Sequence, residues 1–306
     1  MAEQLPGVAL LAVPVVVGAL AVLAGSADAV LSARAAGRPV RAAVTAPLRE
    51  GARLLVQQPR RVPGADLLLV RAGLLTLVAA AGLAALVVPV GGRAVSDSSI
   101  GLVWFNAADV AVWVAFWSIG WGSNSSWGLV GGYRFLAQAL AYELPHMFAL
   151  VAVATAAGSL RLSDVVAAQQ GLWFGVWMPV AFAAYLLAVL GLSAWGPFGR
   201  PVGPEVAGGL GVELAGVDRG LLHAGRGALL AVGAAMAVPL FLGGGAGPWL
   251  PPALWWLVKT LVVLGVLVGL GRLGPAVRVE RFTEQAWLWW VPATLLQALV
   301  VAVVVL

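Results

Sequence analysis

Cysteine is absent from these 306 residues. That gap excludes disulfides, thiolate nucleophiles, cysteine-ligated zinc and iron–sulfur clusters. Charge is scarce as well: 10% of residues are charged and 61% are hydrophobic, with a mean hydropathy of +0.97. No soluble domain hides that much apolar surface, so the class is integral membrane protein. There are two histidines, His146 and His223, far apart in sequence. They make no pair one helical turn apart, so no metal is expected. No Walker-type loop, dinucleotide fingerprint or obvious repeat is visible, which argues against a bound flavin and against an inverted-repeat transporter.

What is present is long apolar runs. A crossing helix needs about 20 mostly apolar residues. Eight segments qualify, at about 6–30, 66–90, 100–121, 131–158, 170–195, 226–244, 251–271 and 286–306. The opening MAEQLPGVALL has an acid and no basic stretch, so the first run is expected to be a retained helix and not a signal peptide. The predicted fold is a single all-α polytopic membrane domain over 1–306.

Arginine sets the expected orientation. The odd-numbered loops hold 14 of the 18 basic residues, including Arg34, Arg38, Arg134 and Arg272. The even loops hold Arg93 and Arg161, and Arg71 and Lys259 lie within spans. Positive residues stay cytoplasmic, so the odd loops are inside and both termini outside, which requires an even number of crossings. The net charge of +5 needs no nucleic acid, because topology and anionic lipid already account for it. In the first loop, residues 45–57 predict a short amphipathic helix in the cytoplasmic interface, with Thr45 as cap, Pro47 in the first turn, and Leu48, Ala52 and Leu55 on one face.

Ionisable groups at membrane depth are expensive, so each is a candidate for function. Glu143 stands about nine residues into the fourth span, Asp109 in the third beside Asn106, and Lys259 within the seventh. These are candidate proton carriers, Asp109 and Lys259 the weaker two; Arg71 can simply snorkel. On the fourth helix Arg134, Gln138 and Tyr142 share one face, and Glu143 lies about 180° from Arg134. Pro145 has no N–H for the carbonyl of Ala141.

The stretch GWGSNSSWGLVGGYRFLAQALAYELP, Gly120 to Pro145, resembles the signature of the H-type membrane subunit of respiratory complex I, the bacterial counterpart of mitochondrial subunit 1. That family has Gly-Trp-(small)-Ser-Asn-Ser, then an aromatic, a Gly, an Arg, an Ala-Gln and a Tyr-Glu at this spacing. Here these are Gly120, Trp121, Ser123, Asn124, Ser125, Trp127, Gly131, Arg134, Ala137, Gln138, Tyr142 and Glu143. ARAAGR with APLREGARLL, GPFGRP, PEVAGGLGVELAG, WWLVKT and RVERFTEQAWLWWVP resemble further blocks in the same order.

The resemblance implies eight core helices and a place at the heel of complex I, where the redox arm docks on the membrane arm. It implies a non-autonomous subunit of an NADH:quinone oxidoreductase in the cell inner membrane, with ubiquinone or menaquinone as substrate. Its partners would be other membrane-arm subunits and the quinone-site peripheral subunits. It marks Glu143, Glu205 and Glu213 as proton-coupling positions. Arg34, Arg38, Pro47 and Phe198 fall near the quinone chamber, and Arg134, Gln138 and Tyr142 are motif positions. The chain also departs from the family. An Ala-Glu-Thr-Asn-Arg run is replaced by LGLSAW (Leu190 to Trp195), Gly199 stands where an Asp is usual, and Val202 and Pro204 replace glutamates. Two alternatives stay open: the membrane anchor of an energy-converting hydrogenase-like or ferredoxin-linked complex, and a structural paralogue without a working quinone site.

Overall fold

The computed structural model describes residues 10–60, 62–204 and 208–305, with the backbone of Glu3–Gln4. It is helical almost throughout. Nine helices organise it: α1 (Ala12–Ala35), α2 (Ala46–Val56), α3 (Leu67–Ala85), α4 (Gly101–Gly122), α5 (Ser126–Ala157), α6 (Pro179–Leu192), α7 (Gly216–Phe241), α8 (Pro252–Leu270) and α9 (Val279–Val305). Strand structure among the described residues is limited to a two-residue parallel pairing of Glu3–Gln4 with Arg93–Ala94 and an isolated antiparallel bridge between Val90 and Arg93.

Among the described residues seven helices, not eight, are long and apolar enough to cross a membrane: α1, α3, α4, α5, α7, α8 and α9. The expected span at 170–195 is the exception. It is divided into a turn at Phe174–Trp177 and the 14-residue α6. Pro179 is the cause. A residue before proline is pushed out of the α region, and Met178 sits at φ −118°, ψ 54°. Two other helices start earlier than hydropathy indicated. The polar, glycine-rich stretch from Gly216 is helical and lengthens α7. Val279–Gln285 is helical too, joined to the last apolar run through a π turn at Ala286–Trp290.

Helix α7 is the hub, packed against α1, α3, α6 and α8. Every residue from Leu229 to Phe241 is buried. Helices α3, α4 and α5 pack in sequence order, and α5 also carries α6 and α9. Phe116 of α4 and Phe135 of α5 stack with ring centroids 3.7 Å apart. The α4–α5 approach depends on glycine: a Cβ at Gly120 would stand 2.7 Å from the carbonyl oxygen of Gly128.

The Gly120–Ser125 turn is held from both sides. The Ser123 hydroxyl donates to the Gly120 carbonyl at 2.7 Å. Asn124 takes the left-handed conformation, φ 48°, which asparagine tolerates better than most residues. Its amide donates to the carbonyl of Pro63 at 3.0 Å, tying the turn to the loop before α3. Ser125 occupies the N-cap position of α5 and its hydroxyl donates to Glu213 instead of to its own helix.

Helix α2 forms where the first loop predicted it. Pro47 lies in its first turn, and Thr45 is the residue before it without making a side-chain cap. The reason is local: Thr45 ends a helical turn at Arg41–Val44, so the chain enters α2 already coiled. Leu54 faces inward and is buried, whereas Leu48 and Leu55 point outward.

Candidate functional site

Two helices bring three ionisable side chains together in the interior. Asp109 comes from α4, and Glu143 and His146, one turn apart, come from α5. All three are buried, and one ligand atom from each lies within 4.8 Å of the others. His146 Nδ1 stands 3.3 Å from Asp109 Oδ2. The Tyr142 hydroxyl donates to Asp109 Oδ1 at 3.1 Å. Phe105 meets the imidazole edge-on and Tyr185 tilts against it, with ring centroids 6.1 and 5.6 Å away. Tyr185 is itself fixed by donating to the Gly233 carbonyl at 2.8 Å. Several polar atoms here have no hydrogen-bond partner: Asn106 Oδ1, Asp109 Oδ2, Glu143 Oε2 and both ring nitrogens of His146. Buried polar atoms are nearly always paired, so a cluster of open ones makes this the candidate site.

The donor set of two carboxylates and an imidazole is one that a divalent cation could use. The space beside Asp109 is about 10 Å³ and is lined by side chains such as Ala84, Phe105, Leu192 and Val232. That is room for about one water, and neither Glu143 nor His146 lines it.

The motif residues beside the cluster hold helices together. Gln138 donates to the Gly191 carbonyl at 2.9 Å. Gly191 also faces the Tyr142 ring, where an added Cβ would lie 2.6 Å from Cδ1. Part of the LGLSAW replacement is thus seated directly against the motif. Arg134 donates to the Gly208 carbonyl at 2.6 Å, pinning the loop before α7 to α5.

A second site is a cavity of about 540 Å³ between α1, α2, α3 and α7. This is within the usual size of small-molecule sites. Its wall is mostly apolar, from Val17 and Ala21 through Gly82 to Ala228, and Pro47 lines it. Glu50, His223 and Arg226 supply its polar groups. Arg226 donates to the carbonyls of Ser193 and Ala194 and lies 5.8 Å from the Trp195 ring centroid. Glu50 accepts from Arg53 at 2.7 and 2.6 Å, and this hydrogen bond holds its carboxyl below the usual range. Glu213 stands elsewhere, in a polar cavity of about 350 Å³ shared with Gln57, Arg60 and Arg219.

The remaining sequence candidates are dispersed. Lys259 is not with the carboxylates. Its ammonium donates to the carbonyls of Leu242, Gly244 and Ala246 at 2.6, 3.0 and 2.7 Å, and it sits 4.2 Å from the Trp173 ring centroid. Arg34 and Arg38 are exposed at the end of α1. Phe198 is buried against Phe282 of α9, with centroids 4.8 Å apart. Arg71 reaches Asp218 at 3.7 Å. Glu205 lies outside the described residues. His146 was not among the sequence candidates. Its signal was there, a Glu-x-x-His spacing on one helix, but the third member comes from another helix.

Helices of spanning length define the class, a multi-pass membrane protein, and this one holds an internal polar cluster and an apolar cavity. The chain belongs to the NADH dehydrogenase family, whose profile matches residues 7–302. It is similar to an H-type NADH-quinone oxidoreductase subunit (copy 1) of Geobacter metallireducens, 37% identical over 208 residues, 67% of this chain and 63% of the relative. The chain therefore spans under two thirds of that relative's length. It is 33% identical over 258 residues to the H-type subunit (copy 2) of Rhodopseudomonas palustris, covering 83% of this chain and 80% of that one. Its fold is that of a chain in the membrane-bound sulfane sulfur reductase, an archaeal respiratory membrane complex, with a TM-score of 0.84. Identity there is 21%, with 96% of this chain and 98% of the other covered.

Proposed function

We propose that this chain is the membrane subunit of a complex-I-type NADH:quinone oxidoreductase, acting only within a multisubunit assembly. It docks the peripheral arm, contributes to the quinone chamber and takes part in a buried carboxylate path that couples quinone reduction to proton movement. In this reading it crosses the membrane eight times, with both termini outside. Helix α6, about 21 Å long at 1.5 Å per residue, supplies the eighth crossing together with the turn at Phe174–Trp177 before it. The 14-to-2 arginine asymmetry supports that parity.

The observation that carries the quinone reading is the 540 Å³ cavity. A quinone is a flat polar ring on an apolar chain. It needs a long apolar slot that ends near hydrogen-bond donors, and Arg226 and His223 stand at this wall. Pro47 belongs to the lining. Arg34 and Arg38, exposed on the cytoplasmic side of this topology, suit docking better than quinone contact. Glu143 and Asp109 form the interior carboxylate pair, Glu213 the group nearest the docking face, and Lys259 a clamp for the loop after α7.

A second reading keeps the anchoring role without a working quinone site, as a structural paralogue or in a hydrogenase-like or ferredoxin-linked complex. The lost acids between Leu190 and Pro204 support it.

The cavity separates the two. A Cβ added at Gly82, which lines it, meets no atom within 4 Å. Gly82→Leu adds apolar bulk at the wall of the slot from a position where its Cβ is free, and a leucine favours the helix over glycine by about 1 kcal/mol. Quinone-linked turnover of the assembled complex is expected to fall while assembly stays normal. Unchanged quinone kinetics would overturn the quinone reading and favour the second.

A further inference from the structure

We infer that Asp109, His146 and Glu143 share protons as one unit, with His146 as the exchanging centre. This deepens the reading of Glu143 as a proton carrier, but it stands on its own geometry.

With all protons removed, two carboxylates and a neutral imidazole carry −2. A low-dielectric interior does not tolerate that, since each uncompensated ion costs several kcal/mol. The close approach at this site is internal, His146 Nδ1 to Asp109 Oδ2 at 3.3 Å. The other titratable side chains facing the cluster are Tyr142 and Tyr185, both neutral phenols in contact with it. Neutrality is reached when two protons are distributed over the three groups.

Two protons over three sites leave one site free to receive. When a Glu143 O–H bond breaks and a His146 N–H forms, the proton moves within the unit and its net charge is unchanged. Adding or removing a proton from outside changes that charge and costs far more. The unit therefore stores protons and responds to a change in its surroundings by redistributing them, as coupled sites do. The open atoms are the ones this requires: Glu143 Oε2, Asp109 Oδ2 and both His146 nitrogens. Asp109 keeps its orientation through Tyr142, and the imidazole is confined by Phe105 and Tyr185. Glu143 and His146 share one helix across Pro145, so their spacing survives modest movement of α4.

The chain has two histidines, so nitrogen labelling reads the site directly. The test is solid-state NMR of the full chain, labelled with ¹⁵N-histidine, in lipid bilayers. Assignment uses His223→Phe. The expected result is a His146 signal with both ring nitrogens protonated or exchanging. That character is lost in Asp109→Asn and altered in Glu143→Gln, with His223 unmoved. A neutral His146 in one fixed tautomer would overturn the inference on the native protein alone, whether or not the variants insert. One equivalent of a divalent metal that copurifies with the native chain and is lost in His146→Phe would also overturn it, in favour of a metal centre. No partner subunit or quinone is needed, so failure here is separable from failure of the quinone reading.

Discussion

Replacing Lys259 with methionine isolates one buried cation whose surroundings are fully specified. The ammonium makes three hydrogen bonds to the loop after α7 and stacks over Trp173. Charge-assisted hydrogen bonds contribute about 1.5–3 kcal/mol each. A desolvated cation–π contact adds about 2 kcal/mol. Against this stands the cost of burying the ion, several kcal/mol, which the substitution relieves. The balance is set by what is left behind. Methionine fills the space but donates nothing, so the carbonyls of Leu242, Gly244 and Ala246 lose their partner. Each buried carbonyl left without a donor costs about 1–3 kcal/mol, so after the relief of the ion's burial a net loss of about 3–5 kcal/mol is expected. For a chain of this size that lowers the unfolding midpoint by roughly 6–20 °C. Thermal unfolding in mild detergent, followed by intrinsic tryptophan fluorescence, measures it. Lys259→Arg, which keeps the charge but not the compact geometry, falls between. An unchanged midpoint for Lys259→Met would refute the clamp. Preserved stability with lost proton coupling would return Lys259 to the proton path.

Two further outcomes are expected. Arg34→Glu with Arg38→Glu, on the exposed end of α1, weakens attachment of the peripheral arm, and native gels should show free membrane arm; intact complex would argue against docking there. The Glu50 carboxyl is lowered by its bond to Arg53, so its contribution is present above the ordinary glutamate value and lost as pH falls through the lowered one. Both side chains are about half exposed, so Glu50→Gln should change stability by no more than about 0.5 kcal/mol, and only on the neutral side of that acid limb; a larger loss would mean that Glu50 has another partner.

Sequence reasoning reached the helices because an apolar run of about 20 residues is a direct demand of the bilayer. It missed the break at Met178–Pro179 because hydropathy does not register backbone restriction. It started α7 ten residues late because GVDRGLLHAG is polar and glycine-rich, yet α7 is helical from Gly216. Glu143 and Asp109 stood out as isolated charges in greasy helices. Their meeting point did not, because the rotation of α4 against α5 is set by contacts such as Gly120 on Gly128 and Phe116 on Phe135. Lys259 was equally opaque, since its partners are backbone carbonyls that leave no trace in residue identity.

The central claim is that Glu143 carries protons in a quinone-reducing assembly. The direct measurement is quinone reduction and proton uptake by the intact complex in sealed vesicles, native against Glu143→Gln. The substitution keeps shape and hydrogen bonding but removes the exchangeable carboxyl proton. The expected result is normal assembly with coupled turnover lowered by roughly tenfold or more. Turnover and pumping equal to the native complex would contradict it.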